Sequence, residues 1–262
     1  MNKLPISVTI ITFNEEERLP LVLAPLKDLV DEIVLVDSGS SDKTLGIANE
    51  AGCKIFHRAW TGFGDQKVFA ENQCRNDWIL NLDADEILLP SVIKSLKALF
   101  SRPEPPLPSA YMLAIRHVSH LSKTFKPRLF APTNWTPRLY HREAAGFSNS
   151  AVHDKVIPRE GVVPVKLCGD VAHISLKSFR HMWDKIATYS ELQAKERVRR
   201  GRSNSALLLF FDPIFFFIKN YFFRRLCFVG VEGLVMSFAL SAGRALRIGM
   251  ARELGIKGHH LE

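Results

Sequence analysis

The sequence predicts an α/β fold built on a doubly wound, mostly parallel sheet, with a small antiparallel section and an apolar, helical C-terminal region. Three observations predict it. Short β-branched and apolar runs alternate with helix-spaced stretches between residues 6 and 101, a proline-rich segment at 102–108 interrupts that pattern, and from residue 205 the chain turns strongly apolar and aromatic.

Taken in order, residues 6–12 (ISVTIIT) are apolar or β-branched on successive positions, as in a strand covered on both faces. Leu19, Val22, Leu23, Leu26, Leu29 and Val30 follow at helical spacing, and Ile33 to Val36 give a second strand. Asp42 can cap a helix running through Ala48, and Lys54 to Phe56 offer a third strand. A helix around 65–76 leads to Trp78–Leu82, the fourth strand, and another helix lies near 91–101. Strands alternating with helices in this way make an open parallel sheet whose ligands sit at the carboxyl ends of its strands. Arg102 to Pro108 is too rich in proline for any regular element except an extended linker. Beyond it, YMLAI, RLFA, RLYH, AVHDKV and VVPVKL alternate with Pro, Gly and Asn breaks between 110 and 175, the pattern of a small antiparallel section. A helix over 178–199 follows.

This gives three stretches: an α/β half over 1–101, a second half of the same domain over 109–200, and an apolar and basic helical region over 201–257. The longest apolar run, Leu226 to Gly243, includes Glu232 with Gly230 and Gly233 beside it, so it is marginal for a membrane span and suits helices lying in the interface. Eleven Lys/Arg against four Asp/Glu between Lys177 and Arg225 suit an anionic leaflet. The alternative is a buried hairpin or a dimer interface with a solvated basic face.

With 47% hydrophobic residues in 262, the chain can bury a sizeable core. The net charge of +8 admits nucleic acid, anionic lipid or phosphorylated partners. Nucleic acid is the least supported, because the basic residues sit beside long apolar runs. The four cysteines, Cys53, Cys74, Cys168 and Cys227, lie far apart, with neither zinc-site nor disulfide-framework spacing, which fits a reducing compartment. The N-terminal apolar run is cut short by Asn14-Glu15-Glu16-Glu17, wrong for a signal peptide, so the chain is expected to stay on the side of the membrane where it is made. The last two residues, Leu261-Glu262, resemble a cloning scar.

The acidic residues fall at the ends of strands. Asp37 follows the second strand and Asp83 with Asp85 the fourth, which puts two acidic clusters on the ligand-binding edge. Asp-x-Asp at a strand end suits Mg²⁺ or Mn²⁺, hard cations whose remaining ligands a bound diphosphate supplies; the alternative is a turn capped by the same residues. Asp37 and Ser40 lie in a turn dense in hydrogen-bonding side chains, where Asp37 can accept from a nucleoside or simply build an Asx-turn. No Gly-x-Gly-x-x-Gly follows the first strand and no P-loop sequence occurs, which argues against dinucleotide oxidoreductases and P-loop NTPases.

Six segments resemble glycosyltransferase family 2, and within it the bacterial lipopolysaccharide-core β-glucosyltransferases: ITFNEE (11–16), DEIVLVDSGSSDKT (31–44), WTGFGDQK (60–67), DWILNLDADE (77–86), PRLYHR (137–142) and VHDKV (152–156). The resemblance implies a GT-A-like fold and an inverting transferase that moves a hexose, glucose from UDP-glucose, onto a lipid-anchored or lipopolysaccharide-core saccharide at the cytoplasmic face of the bacterial inner membrane. It implies that Thr12, Phe13, Glu15, Asp37 and Ser40 line the nucleoside pocket. Lys67, Asp83 and Ala84 would meet the sugar diphosphate, and Asp85, with Asp83, would hold Mg²⁺ or Mn²⁺; His173, amid β-branched residues, either reaches the metal or the diphosphate or is a satisfied structural histidine. Asp154 stands where the family usually has Glu and is the expected base for the acceptor hydroxyl; its alternative is a strand residue paired with Lys155 or Arg159. Trp135 and Arg138 either shape the acceptor pocket or pack, and Glu86 has no role beyond the turn. Two other classes compete. A metal-dependent nucleotidyltransferase would need a Gly-rich basic loop that is absent after the first strand, and a non-catalytic membrane adaptor would bind no sugar nucleotide.

Overall fold

The computed structural model describes residues 3–102, 106–122, 124–147, 155–201 and 205–259, with side chains through 255. The chain divides into two units, one formed by residues 1–116 and 133–173 and the other by 117–132 and 174–262. The division therefore falls at His173/Ile174 rather than near residue 200, and the 117–132 excursion belongs with the C-terminal helices.

The first unit is built on an eight-stranded sheet. Strands β1 (Leu4–Thr12), β2 (Val30–Asp37), β3 (Lys54–His57) and β4 (Trp78–Asp83) run parallel in the order 3-2-1-4. Their apolar runs are covered on both faces: Ile6, Val8, Ile10, Val34, Leu35, Val36, Ile79, Leu80 and Leu82 expose nothing. Helices α1 (Leu19–Leu23), α2 (Thr44–Glu50), α3 (Phe63–Asn72) and α4 (Pro90–Phe100) fall where helical spacing predicts, although α1 ends early and turns carry the chain to Val30. Beyond β4 the sheet becomes antiparallel through β7 (Thr133–His141) and β6 (Ala110–His117), and ends on β10 (Val165–His173) and β5 (Glu86–Leu88). A separate pair, β8 (Ala145–Phe147) with β9 (Val156–Pro158), forms the second, small antiparallel sheet. The RLFA segment is a turn instead of a strand, and most of AVHDKV lies outside the described residues, as do 103–105 of the linker.

One glycine fixes where β10 lies. Gly169 has a φ of +108°, and a Cβ there would stand 2.3 Å from the Val92 backbone nitrogen, so only glycine lets β10 run against the start of α4. Ser91 Oγ accepts from the Asp170 amide at 3.1 Å, and β10 is then held in register with His173 opposite Glu86.

In the second unit, α5 (Phe179–Arg199), α6 (Ala206–Ile218) and α7 (Val231–His259) are joined through a π-helical turn, Lys219–Phe223, and a 3₁₀ turn, Leu226–Val229. Ser178 and Ser205 cap α5 and α6 by accepting from the amides of His181 and Leu208. Leu176, Met182 and Ala239 form a small core with Phe179, Ile186, Val235 and Met236. The α5–α7 crossing is close because Gly243 leaves room for Ile186, whose Cγ2 would lie 2.5 Å from an added Cβ. Helix α6 buries none of its residues, and Asp212 ties it to α7 through Arg244 and Arg247 at 3.6 and 3.8 Å. The stretches Ala206–Phe223 and Val231–Gly255 are long and apolar enough to cross a membrane by length and composition alone.

Candidate functional site at the carboxyl edge of the sheet

The site is assembled where β1, β2 and β4 end. Two loops leave this edge and are stitched together by side chain to backbone hydrogen bonds. The amides of Asn14 and Glu15 donate to Ser40 Oγ at 2.9 Å and Thr44 Oγ1 at 2.7 Å, and Asn14 Oδ1 accepts from the Ser41 amide at 2.9 Å. Asn14 takes a positive φ of 54°, a conformation asparagine tolerates well, and this turns the loop toward its neighbour. Asp42 accepts from the Thr44 amide at 2.9 Å and so opens α2, as its position predicts.

Asp37 is almost fully buried, and its carboxylate is saturated by its own turn. Oδ2 accepts from the amides of Gly39 and Ser40 at 2.8 Å each, and Oδ1 from Thr12 Oγ1 at 3.2 Å and Ser40 Oγ at 2.5 Å. The Asx-turn reading of Asp37 is thus realised, and Thr12 and Ser40 serve it. Phe13 projects its ring to solvent beside this turn, more than half exposed. The edge offers an aromatic face above a rigid polar floor.

The second cluster surrounds the turn between β4 and β5. Glu86 closes that turn by accepting from the Asp83 amide at 3.1 Å, with Ala84 buried at its corner, and the Asp83 side chain is about a third exposed, more than that of Asp85. Arg138, from β7, lies beneath: it donates to Asn81 Oδ1 at 2.9 Å and Asp83 Oδ2 at 2.8 Å and forms a very short ion pair with Glu86. Asn81 in turn donates to Thr9 Oγ1 at 3.0 Å, so the network reaches the middle of the sheet. Lys67, buried on α3, meets the other Asp83 oxygen at 2.8 Å. Burial alone would raise the Asp83 pKa, but the adjacent Arg138 and Lys67 charges hold it well below the usual carboxylate range.

Asp85 differs. Its Oδ2 meets Arg18 at 3.1 Å, and its Oδ1 faces His173 Nε2 at 3.4 Å. Arg18 also grips Glu15 at 2.7 and 2.8 Å, linking the first loop to the β4 turn. Burial works against a protonated His173 ring, and Asp85, Glu86 and Asp83 outweigh it, so the imidazole pKa is raised.

Several expectations change. Both Asp83 oxygens are engaged by buried cations, Lys67 and Arg138, and both Asp85 oxygens are engaged as well, by Arg18 and His173. Arg138 neither shapes an acceptor pocket nor merely packs; it neutralises two carboxylates from inside the sheet. Glu86 has a role beyond the turn as Arg138's partner. Lys67 is spent on Asp83, and Asp154 lies outside the described residues. Arg18 was not anticipated by sequence reasoning, and its one signal was a lone cation directly after three consecutive glutamates. Among the described residues, no three His, Cys, Asp or Glu side chains gather into a metal cage.

A parallel sheet with ion-paired, strand-end acids at its carboxyl edge defines an α/β protein of the ligand-binding, doubly wound class. The chain belongs to glycosyltransferase family 2: the profile described as "Glycosyl transferase family 2" matches residues 7–155, and the chain is 36% identical over 98% of its length to an uncharacterized glycosyltransferase of Rickettsia conorii, covering 93% of that protein. It is also 32% identical, over 89% of its length and 86% of the relative's, to the lipopolysaccharide core biosynthesis glycosyltransferase LpsC of Rhizobium meliloti. Among solved structures it has a distant likeness to Staphylococcus aureus TarS 1–349, with a TM-score of 0.43, 15% identity and coverage of 98% and 92% of the two chains. Family membership makes the chain a glycosyltransferase.

Proposed function

We propose that the chain is an inverting hexosyltransferase that takes a sugar, glucose, from its UDP-sugar with the help of Mg²⁺ or Mn²⁺. It passes the sugar to a lipid-anchored, lipopolysaccharide-core-type saccharide at the cytoplasmic face of the inner membrane. The observation that carries the reading is Asp85: a carboxylate at the ligand-binding edge, 3.4 Å from an imidazole nitrogen and tied through Arg18 to Glu15 in the first loop. A carboxylate oxygen and an imidazole nitrogen form a donor pair that suits Mn²⁺ well, and two protein ligands leave the other positions for diphosphate oxygens. Bound there, the ion would offset the charge that grows on the departing nucleoside diphosphate.

The chain's own residues divide the remaining work. Lys67 and Arg138 lock Asp83 and Glu86, which fixes the direction in which Asp85 points. Arg18 holds Asp85 and Glu15 together, so the nucleoside loop and the metal-side turn are set as one piece. Phe13 offers its exposed ring as a surface for the base. Asp154 takes the proton of the acceptor hydroxyl, an assignment supported by the family resemblance of VHDKV. The LpsC relative supports the acceptor class, and the exposed apolar helices of the second unit support an acceptor anchored in lipid.

The test is a panel of UDP-, GDP- and dTDP-sugars, scored for binding and slow hydrolysis with Mn²⁺, Mg²⁺ or EDTA. UDP-glucose should bind best with metal, and EDTA should cut turnover by about two orders of magnitude, since a Lewis-acid metal supplies several kcal/mol. Indifference to donor and metal would overturn the reading. Release of pyrophosphate in place of UDP would favour a nucleotidyltransferase. Asp154→Asn should abolish transfer and spare donor binding; surviving turnover would put the base elsewhere.

A further inference from the structure

The second unit carries a cavity of about 260 Å³ formed by the 117–132 loop, the 3₁₀ turn and the start of α7. Its lining is mixed. Lys126, Arg128, Ser119 and Ser122 are polar, whereas Ala131 and Val229 are apolar and buried. The loop carries no acidic residue between His117 and Pro132, against Lys123, Lys126 and Arg128.

The carboxylate in the wall is already compensated. Glu232, with 1% exposure, accepts from the His120 amide at 3.0 Å, and its oxygens face His120 Nδ1 at 3.0 Å and His117 Nε2 at 3.5 Å. Its Oε1 is itself buried and faces the His117 nitrogen, so the carboxylate forms part of the cavity wall. The Arg128 guanidinium lies over Gly230, where an added Cβ would stand 3.1 Å from Cζ.

The rim has the opposite character. Leu121, Leu129 and Phe130 are 62, 75 and 58% exposed, and Phe130 meets Phe228 at 5.5 Å between ring centroids. Of the four non-glycine residues with positive φ among those described, Phe125 and Phe130 belong to the 117–132 loop and Arg225 directly precedes the 3₁₀ turn. Strained backbone of this kind persists where the surroundings over-determine it, and it clusters at ligand clamps.

We propose that this cavity is a headgroup site for a membrane phospholipid. Lys126 and Arg128 grip the lipid phosphate, and Leu121, Leu129 and Phe130 enter the acyl boundary beside it. The proposal rests on the membrane-facing reading of the second unit and adds to it a saturable contact with the phosphate. Cations spread over a surface respond only to net charge, whereas two cations at a walled cavity meet one phosphate together.

The test is vesicle co-sedimentation of the full chain with phosphatidylcholine alone and with phosphatidylcholine doped with phosphatidylglycerol. The intact chain should bind both and prefer the doped vesicles. Lys126→Ala with Arg128→Ala should weaken binding to doped vesicles by about 30-fold and leave binding to neutral vesicles unchanged, as expected for two cations at a lipid surface. Arg199→Ala with Arg200→Ala, which removes equal charge from the end of α5, should cost far less. Lys126→Gln alone, a change on an exposed loop, should give an intermediate loss and guards against misfolding of the double variant. UDP-sugar binding by the first unit should be unaffected throughout. Equal losses for the two double variants would overturn the site in favour of diffuse attraction, and displacement from vesicles by millimolar inorganic phosphate would reassign it to a soluble phosphate. No vesicle binding by the intact chain would overturn the membrane reading together with the site, and the donor panel would still stand by itself.

Discussion

The two units use apolar residues in opposite ways. In the first, the runs that look most hydrophobic in sequence end with no exposure: Ile6, Val8 and Ile10 on β1, and Ile79, Leu80 and Leu82 on β4. In the second, the runs of comparable hydrophobicity end outside, with Leu207, Phe215 and Phe223 more than two-thirds exposed and α6 burying nothing. Polar groups follow the reverse pattern. The first unit takes Lys67, Arg138, Glu86 and Asp37 into its interior and gives each a partner, whereas most of the ion pairs of α5 lie in open solvent. Apolar content alone therefore does not define a core; neighbours available to cover it do. The first unit has helices on a sheet, and the second has three helices, of which α6 buries none of its residues.

The comparison can be broken most forcefully at Arg138. Arg138→Met removes the cation ion-paired with buried Glu86 and one of the two ion-paired with Asp83. Leaving such charges unpaired costs about 3–5 kcal/mol, so chemical denaturation should show a loss of that order in the first unit. Arg138→Lys should recover only part of it, because a single ammonium cannot reproduce the fork that reaches Asn81, Asp83 and Glu86. An unchanged midpoint for Arg138→Met would mean that the inward polar network is not structural.

A matched pair of truncations tests the apolar side. Leu80→Ala, in the central strand β4, should cost about 2–5 kcal/mol through lost burial and the cavity left behind. Phe215→Ala removes a larger side chain that is 75% exposed, and should change stability by about 0.5 kcal/mol or less while lowering retention on vesicles. Similar stability losses for the two would show that α6 is covered in solution, as the alternative of a buried hairpin or dimer interface requires.

Much of the first unit was legible because local pattern and final environment agree there. Four strands and three of four helices lie within a few residues of their predicted spans, since a parallel sheet covered on both faces writes itself as uninterrupted β-branched runs. The strand-end acids were legible for the same reason. What sequence could not give were the partners, which are set by pairing between distant strands. Arg138 meets Asp83 and Glu86 only because β7 docks antiparallel on β4, and His173 meets Asp85 only because β10 returns to β5. Within the excursion at 117–132, RLFA reads in sequence as a short β-like run. Its Arg128 and Ala131, with Lys126, line a cavity in the second unit instead.

Between the extremes lies His173, whose raised pKa is a smaller effect with a definite sign. A group whose folded pKa is raised adds stability that is fully present below its unfolded value, about 6.5, and is lost as pH climbs through the folded value. Stability of the first unit should therefore decline slightly above neutrality from this source. Imidazole proton shifts should show the ring titrating above its ordinary range, and Asp85→Asn should bring it down. A ring that titrates normally in the intact chain would remove the electrostatic link between His173 and Asp85.

The cysteines give the finest comparison, because the chain places them in graded environments. Burial pushes Cys53 up to about 11 and Cys74 up to about 12, whereas Cys168 is exposed on β10 and Cys227 is half-buried in the 3₁₀ turn. The thiolate is the reactive form, so at pH 8 Cys74 holds it at about one part in ten thousand. Alkylation followed by mass spectrometry should find Cys168 modified first and Cys74 only as the first unit unfolds. Adding phosphatidylglycerol-containing vesicles should slow Cys227, which adjoins the apolar rim at Phe228, and leave Cys168 unchanged. Protection of both thiols would mean that the first unit also meets the bilayer, and protection of neither would mean that the turn faces water. A selective effect on Cys227 would confine the membrane contact to the unit whose apolar residues point outward.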